Sequence, residues 1–157
     1  MNYSFGKWLA FSFGSVLALT GCAKVVSFFG SVRILYLDDP IFGIPFRYLL
    51  LLVGVLEVLV AGICFLSNNL KTANLFVAFL ATNFLLYRLA LWFMGWHRPC
   101  NCMGNLADAL HIPAQTADTA MKIILAYLLL GSYATLFWLW RQKRRTSSLP
   151  PPAQTTV

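Results

Sequence analysis

The sequence predicts an all-α membrane protein: a four-helix transmembrane bundle with its amino and carboxyl ends in the cytoplasm. Three observations carry that reading. Of the 157 residues, 59% are hydrophobic and only 11% charged, whereas a soluble domain uses about 25% charged residues to coat its outside. Four windows supply the roughly 20 mainly apolar residues that a spanning helix needs. A basic run, Arg141, Lys143, Arg144 and Arg145, follows directly on the last window, and such a bias holds a tail in the cytoplasm. A soluble globular domain is excluded. The net charge of +7 reads as membrane topology rather than a nucleic-acid surface, so the expected partner is the bilayer and not nucleic acid.

The windows place spans at about 8–29, 46–67, 72–96 and 119–140, one membrane domain over 8–140. Residues 141–157, basic and then rich in proline (Pro150, Pro151, Pro152), are expected to form a disordered cytoplasmic tail. Four spans put Lys7 and the short Asn68–Lys71 connection on the tail's side. The two remaining loops face outward and hold all four aspartates, Asp38, Asp39, Asp108 and Asp118. Trp8, Trp96, Trp138 and Trp140 fall near span ends, as an aromatic belt requires. The amino terminus permits a second reading, because Leu19-Thr20-Gly21-Cys22 resembles a lipoprotein attachment box. Cleavage before Cys22 would leave a lipidated protein of three spans. Against it, the chain stays apolar through Val25, Val26, Phe28 and Phe29.

The strongest chemical signal is His97-Arg98-Pro99-Cys100-Asn101-Cys102-Met103-Gly104, at the outer end of the third span. Thiols at i and i+2 reach bonding distance only in a tight, strained ring, and strained, exposed disulfides are the exchangeable ones. Arg98, and His97 when protonated, would favour the thiolate, so both are candidates for tuning it. A short helix capped by Asn105 is expected to follow. An inert structural disulfide is the plainer alternative, although closing so small a loop stabilises little. Metal is the third: His97, Cys100, Cys102 and His111 are ligand types that zinc or copper(I) accepts, although the tight Cys-x-Cys bite is unusual for zinc. Cys22 and Cys64 lie at depths that differ by roughly 16 Å at 1.5 Å per helical residue, too far to bond. Cys64 is expected to be a core residue.

Three ionisable residues fall inside the spans: Lys24, Glu57 and Arg88. Each costs about 2.5–3.5 kcal/mol at mid-membrane, so partners are expected. Glu57 should face the first or third helix with Lys24 or Arg88 beside it, unless the two bases extend outward to the interface. Gly14, Ala18 and Gly21 form a stripe on the first span, and Gly54 and Ala61 flank Glu57 on the second. Such faces allow close approach, which predicts a tight pair.

Gly21-Cys22-Ala23-Lys24, Asp39-Pro40, and Glu57 with Gly62 resemble the DoxX-like membrane proteins. The Cys100-Asn101-Cys102-Met103-Gly104 loop is similar to the motif of the MauE-like branch, named for a methylamine-utilisation protein. The resemblance covers about residues 14–140. It implies a four-helix protein of the bacterial inner membrane that supports maturation of periplasmic proteins by thiol–disulfide exchange. Its family precedent is methylamine-dehydrogenase maturation, and its expected partner a periplasmic thioredoxin-like protein. Cys100 and Cys102 would be the redox pair, on the periplasmic side, and Lys24 and Glu57 family-typical intramembrane positions. A quinone held between helices is the cofactor this reading allows. The competing expectation is a non-enzymatic assembly scaffold or small transport module, with Lys24, Glu57 and Arg88 lining a polar seam and a structural or metal-binding Cys-x-Cys loop.

Overall fold

In the computed structural model, residues 3–30, 33–67, 69–95 and 113–147 are described. Four helices account for most of them: α1 (Tyr3–Ser27), α2 (Phe46–Leu66), α3 (Leu70–Phe93) and α4 (Ala114–Ser147). A short 3-10 turn, Arg33–Tyr36, lies between α1 and α2. All four helices are long and apolar enough to cross a membrane. The all-α, four-span expectation therefore holds.

Local chemistry sets the boundaries. α2 starts just after Pro45, and the Phe46 amide bonds back to the Leu37 carbonyl. Its last turn closes through the Ser67 amide on the Ile63 carbonyl. Two residues on, Asn69 caps α3 by accepting a hydrogen bond from the Lys71 amide, as asparagine does at a helix start. α3 ends three residues before the expected position 96. Gly95 follows at φ +73°, a left-handed conformation that suits glycine just past a helix end.

The fourth helix corrects the expected tail. α4 starts at Ala114, where the Pro113 carbonyl accepts the first helical bonds from Thr116 and Ala117, and it continues to Ser147. Residues 141–147 are therefore helical rather than disordered. Arg141, Gln142, Lys143, Arg144 and Arg145 are all strong helix formers, so leaving the apolar stretch does not end the helix. Residues 148–157 lie outside the described residues.

The helices alternate in direction. Gly6 of α1 lies against Leu70 of α3, Tyr87 of α3 meets the loop after α1, and Arg88 of α3 meets Asp118 of α4. One end of the bundle, the loop end, thus gathers the end of α1, the 33–45 loop, the end of α3 and the start of α4. The other, the basic end, gathers the start of α1, the end of α2, the start of α3 and the end of α4. Between them runs a core of Phe13, Leu17, Val60, Ala61, Cys64, Ala73, Val77, Leu80, Ala81 and Leu128. Outward-facing positions are apolar as well: Leu66 is 86% exposed, Phe93 78% and Trp8 73%. So large an apolar exterior would drive association in water, whereas lipid is its natural solvent.

Small residues decide which helices touch most closely. A Cβ on Gly21 would lie 2.9 Å from the Gly54 carbonyl oxygen, and a Cβ on Gly54 would lie 2.9 Å from that of Gly21. The expected tight α1–α2 pair is therefore present, with backbones in mutual contact. A second socket escapes sequence reasoning. A Cβ on Gly131 of α4 would lie 2.6 Å from the Phe13 ring, so α1 plugs its fully buried phenyl into a gap on α4. Beside it, the Ser12 and Tyr127 hydroxyls bond at 2.6 Å.

Candidate functional site

The polar interior starts on α1. Thr20, Lys24 and Ser27, at i, i+4 and i+7, share one helix face, and all three are buried. Across from them, α2 presents Glu57, only 2% exposed. The Lys24 ammonium donates to both carboxylate oxygens, at 2.6 and 2.7 Å, and Thr20 faces the same carboxylate. The two glycines make this geometry possible. A Cβ at position 54 would press on the Lys24 Cβ at 3.0 Å, and one at position 21 on the Glu57 Cβ at 3.0 Å. Each glycine thus clears the stem of the opposite helix's charge. The Phe84 ring of α3 closes the third side, its centroid 5.7 Å from the ammonium, where its π face adds attraction.

Lys24 therefore turns inward to Glu57 rather than outward to the interface. Arg88 does not join them. Its guanidinium bonds to Asp118 of α4, and Asp118 also accepts from Lys122 one turn on, at 2.8 Å. The expectation that Lys24, Glu57 and Arg88 line one seam is corrected: Arg88 ties α3 to α4 at the loop end, while the other two tie α1 to α2. Asn83, on a different face of α3, bonds its amide to the Phe79 carbonyl.

A second buried acid, Asp39, organises the loop end and is 1% exposed. One carboxylate oxygen accepts from the Ile41 and Phe42 amides at 2.8 and 2.9 Å. Its own amide and carbonyl bond Ile44 and Gly43. The other carboxylate oxygen accepts from the Tyr87 hydroxyl of α3, and Phe42 stacks on the Tyr87 ring. The local signal was legible in Asp39-Pro40-Ile41-Phe42-Gly43, since an Asp two residues before free amides and a Gly at φ +65° describe a turn. The docking partner, Tyr87, carried no such signal. Tyr87→Phe is expected to cost about 2 kcal/mol, the scale of a hydrogen bond to a charged group. Amide exchange should stay slow at Ile41 and Phe42 in that variant and become fast in Asp39→Ala. Equal melting of Tyr87→Phe and the parent would remove Tyr87 from the lock.

Nearby, the Arg47 guanidinium lies 4.6 Å from the Phe28 ring centroid and 5.4 and 5.5 Å from those of Tyr36 and Tyr48. Cys64 sits in the core as expected, Cys22 is exposed, and both are free thiols. His97, Arg98, Cys100, Cys102 and His111, the candidate redox, tuning and metal residues, lie outside the described residues, as do Trp96 and Asn105.

Fold and site together define a multi-pass helical membrane protein with a closed ion pair between its first two spans and a locked loop at one end. Compared with protein-family models, curated proteins and solved structures, the chain matches none.

Proposed function

We propose that the protein is a membrane thiol–disulfide component of the MauE-like kind, and that Cys100 and Cys102 exchange with a periplasmic thioredoxin-like protein. The observation that supports this reading is the disposition of the other thiols. Cys64 is enclosed in the core and Cys22 faces outward as a free thiol, so neither pairs with the other. The closely spaced couple left in the sequence is Cys100 and Cys102, in the segment that joins the end of α3 to the start of α4. The Lys/Arg bias of the basic end favours an orientation with that segment in the periplasm and both chain ends in the cytoplasm of the inner membrane.

In the reaction, a thiolate of the partner attacks the Cys100–Cys102 disulfide, forming a mixed disulfide and releasing one protein thiolate. The partner's second thiolate then displaces the remaining sulfur. The partner leaves oxidised by two electrons, and Cys100 and Cys102 are left as a dithiol. A membrane quinone, taking two electrons and two protons, is the class of acceptor that would restore the disulfide. Replacing the partner's second cysteine by serine should trap the mixed disulfide on Cys100 or Cys102 as a reducible band of higher mass, because no thiolate is left to displace the remaining sulfur. The double serine variant should fold and insert with a stability loss under about 2 kcal/mol, since a three-residue loop confers little chain entropy, yet fail to mature its client. A double variant that matures client normally would overturn the proposal.

The assembly-scaffold reading draws on a different observation, the closed Lys24–Glu57 pair, which thiol exchange does not require. It expects function to survive loss of both loop cysteines and to fail in Glu57→Ala while the protein remains inserted.

A further inference from the structure

We propose that the groove between the start of α3 and the end of α4 binds one anionic phospholipid, its phosphate at the helix ends and an acyl chain along the apolar wall. This inference is independent of the redox reading. The groove has a volume of about 360 Å³ and is lined by Lys71, Thr72, Leu75, Leu136, Leu139 and Trp140, within the roughly 300–1,000 Å³ of small-molecule sites. Its chemistry is graded along its length. Lys71 and Thr72 occupy the first turn of α3, and Leu75 lies one turn deeper on the same face. Opposite, Leu136, Leu139 and Trp140 share one face of α4 at i, i+3 and i+4. One turn beyond, the Arg144 guanidinium sits 4.0 Å from the Trp140 ring centroid. A cationic mouth thus opens onto an apolar channel at the depth where a tryptophan marks the interface.

Charge identifies the occupant. Among the described residues every acidic side chain lies elsewhere: Asp38, Asp39 and Asp118 are at the loop end, and Glu57 is bonded to Lys24. The basic end carries Lys7, Lys71, Arg141, Lys143, Arg144 and Arg145 with no Asp or Glu beside them in the sequence. Among the described residues, neither Lys71 nor Arg144 meets a carboxylate. An anion supplied from outside the chain would complete this end. In a membrane the negative group held at headgroup depth above an acyl chain is a lipid phosphate. Basic pockets between spanning helices bind such headgroups.

Native mass spectrometry of the full-length protein in detergent tests this, with phosphatidylglycerol, phosphatidylcholine of the same chains, and inorganic phosphate as probes. We expect one phosphatidylglycerol to bind saturably, phosphatidylcholine about tenfold or more weakly, and inorganic phosphate not at all. Removing both cations in Lys71→Gln/Arg144→Gln should weaken phosphatidylglycerol about 30-fold, while Lys71→Arg/Arg144→Lys should keep it. Leu139→Trp, which fills the apolar half and leaves the charges alone, should also weaken it. Equal binding of the two lipids would overturn the site, as would phosphatidylglycerol binding that survives Lys71→Gln/Arg144→Gln or Leu139→Trp. Inorganic phosphate bound as tightly as phosphatidylglycerol would show an anion site without the acyl channel and would overturn it equally.

Discussion

Glu57→Ala should destabilise the protein by about 3–5 kcal/mol, the cost of leaving a buried charge without its partner. The stranded group is Lys24, 4% exposed, whose ammonium spends its two shortest bonds on the Glu57 carboxylate. Among the described residues the Phe84 ring is its other charge-stabilising neighbour across the helices, and a ring face at a desolvated site offsets about 2 kcal/mol. The informative comparison is the double variant Lys24→Met/Glu57→Leu. Replacing both members of a buried pair by apolar groups of similar volume is often neutral or stabilising, so the double variant should melt near the parent or above it. Thermal unfolding in detergent of the parent, Lys24→Met, Glu57→Leu and the double variant completes the cycle, with Glu57→Ala beside it. If Glu57→Ala and the double variant melt together, a Lys24 left without its carboxylate costs no more than its removal, and the stranded-charge account fails. Stability and function also separate here. A double variant that is stable but inactive would mean the charges do more than join two helices.

Gly54→Val should cost about 3 kcal/mol, at the upper end of overpacking, because the obstruction is backbone. The first carbon of any side chain at position 54 meets the Gly21 carbonyl oxygen at 2.9 Å. A flexible side chain could swing aside, but a helix carbonyl cannot move without displacing α1. The same carbon presses on the Lys24 stem, so separating the helices also loosens the ion pair. Gly62→Ala is the matched control. Position 62 lies on the same helix with nothing within 4 Å of an added Cβ. Substitution there should be neutral or gain up to about 1 kcal/mol from helix propensity. Melting curves that place Gly54→Val beside Gly62→Ala would show that the α1–α2 crossing tolerates an added side chain. Gly62 is also one of the residues from which the resemblance to DoxX-like proteins was read, and an added Cβ there would meet nothing within 4 Å.

The membrane helices were legible because span length and apolarity are local properties, summed over about 20 residues without reference to any neighbour. The α1–α2 pairing was legible for a related reason. Gly21 and Gly54 are small wherever they point, and a charge at Glu57 demands a partner whatever the fold. Which partner answered was not legible. Lys24 and Arg88 sit at comparable depth, and only the rotation of α3 about its axis sends Arg88 to Asp118 rather than to Glu57. Tyr87, one residue earlier and about 100° around the same helix, is turned by that rotation onto Asp39.

Four segments long and apolar enough to cross a membrane, a basic cluster following the last of them, and buried charges that require counterparts could all be read along the chain. Hydrophobic burial and charge solvation act on each residue's own composition and are counted along the chain. The tertiary structure alone decided the pairings: Lys24 with Glu57, Arg88 with Asp118, Tyr87 with Asp39, and Phe13 in the Gly131 gap. It also decided that α4 carries its basic run as helix to Ser147 and so sets Arg144 over Trp140. Each of those contacts depends on the azimuth and offset of one helix against another. Packing sets both, as a sum over many small contacts separated by 30 to more than 100 residues of chain. No single residue's chemistry records that sum.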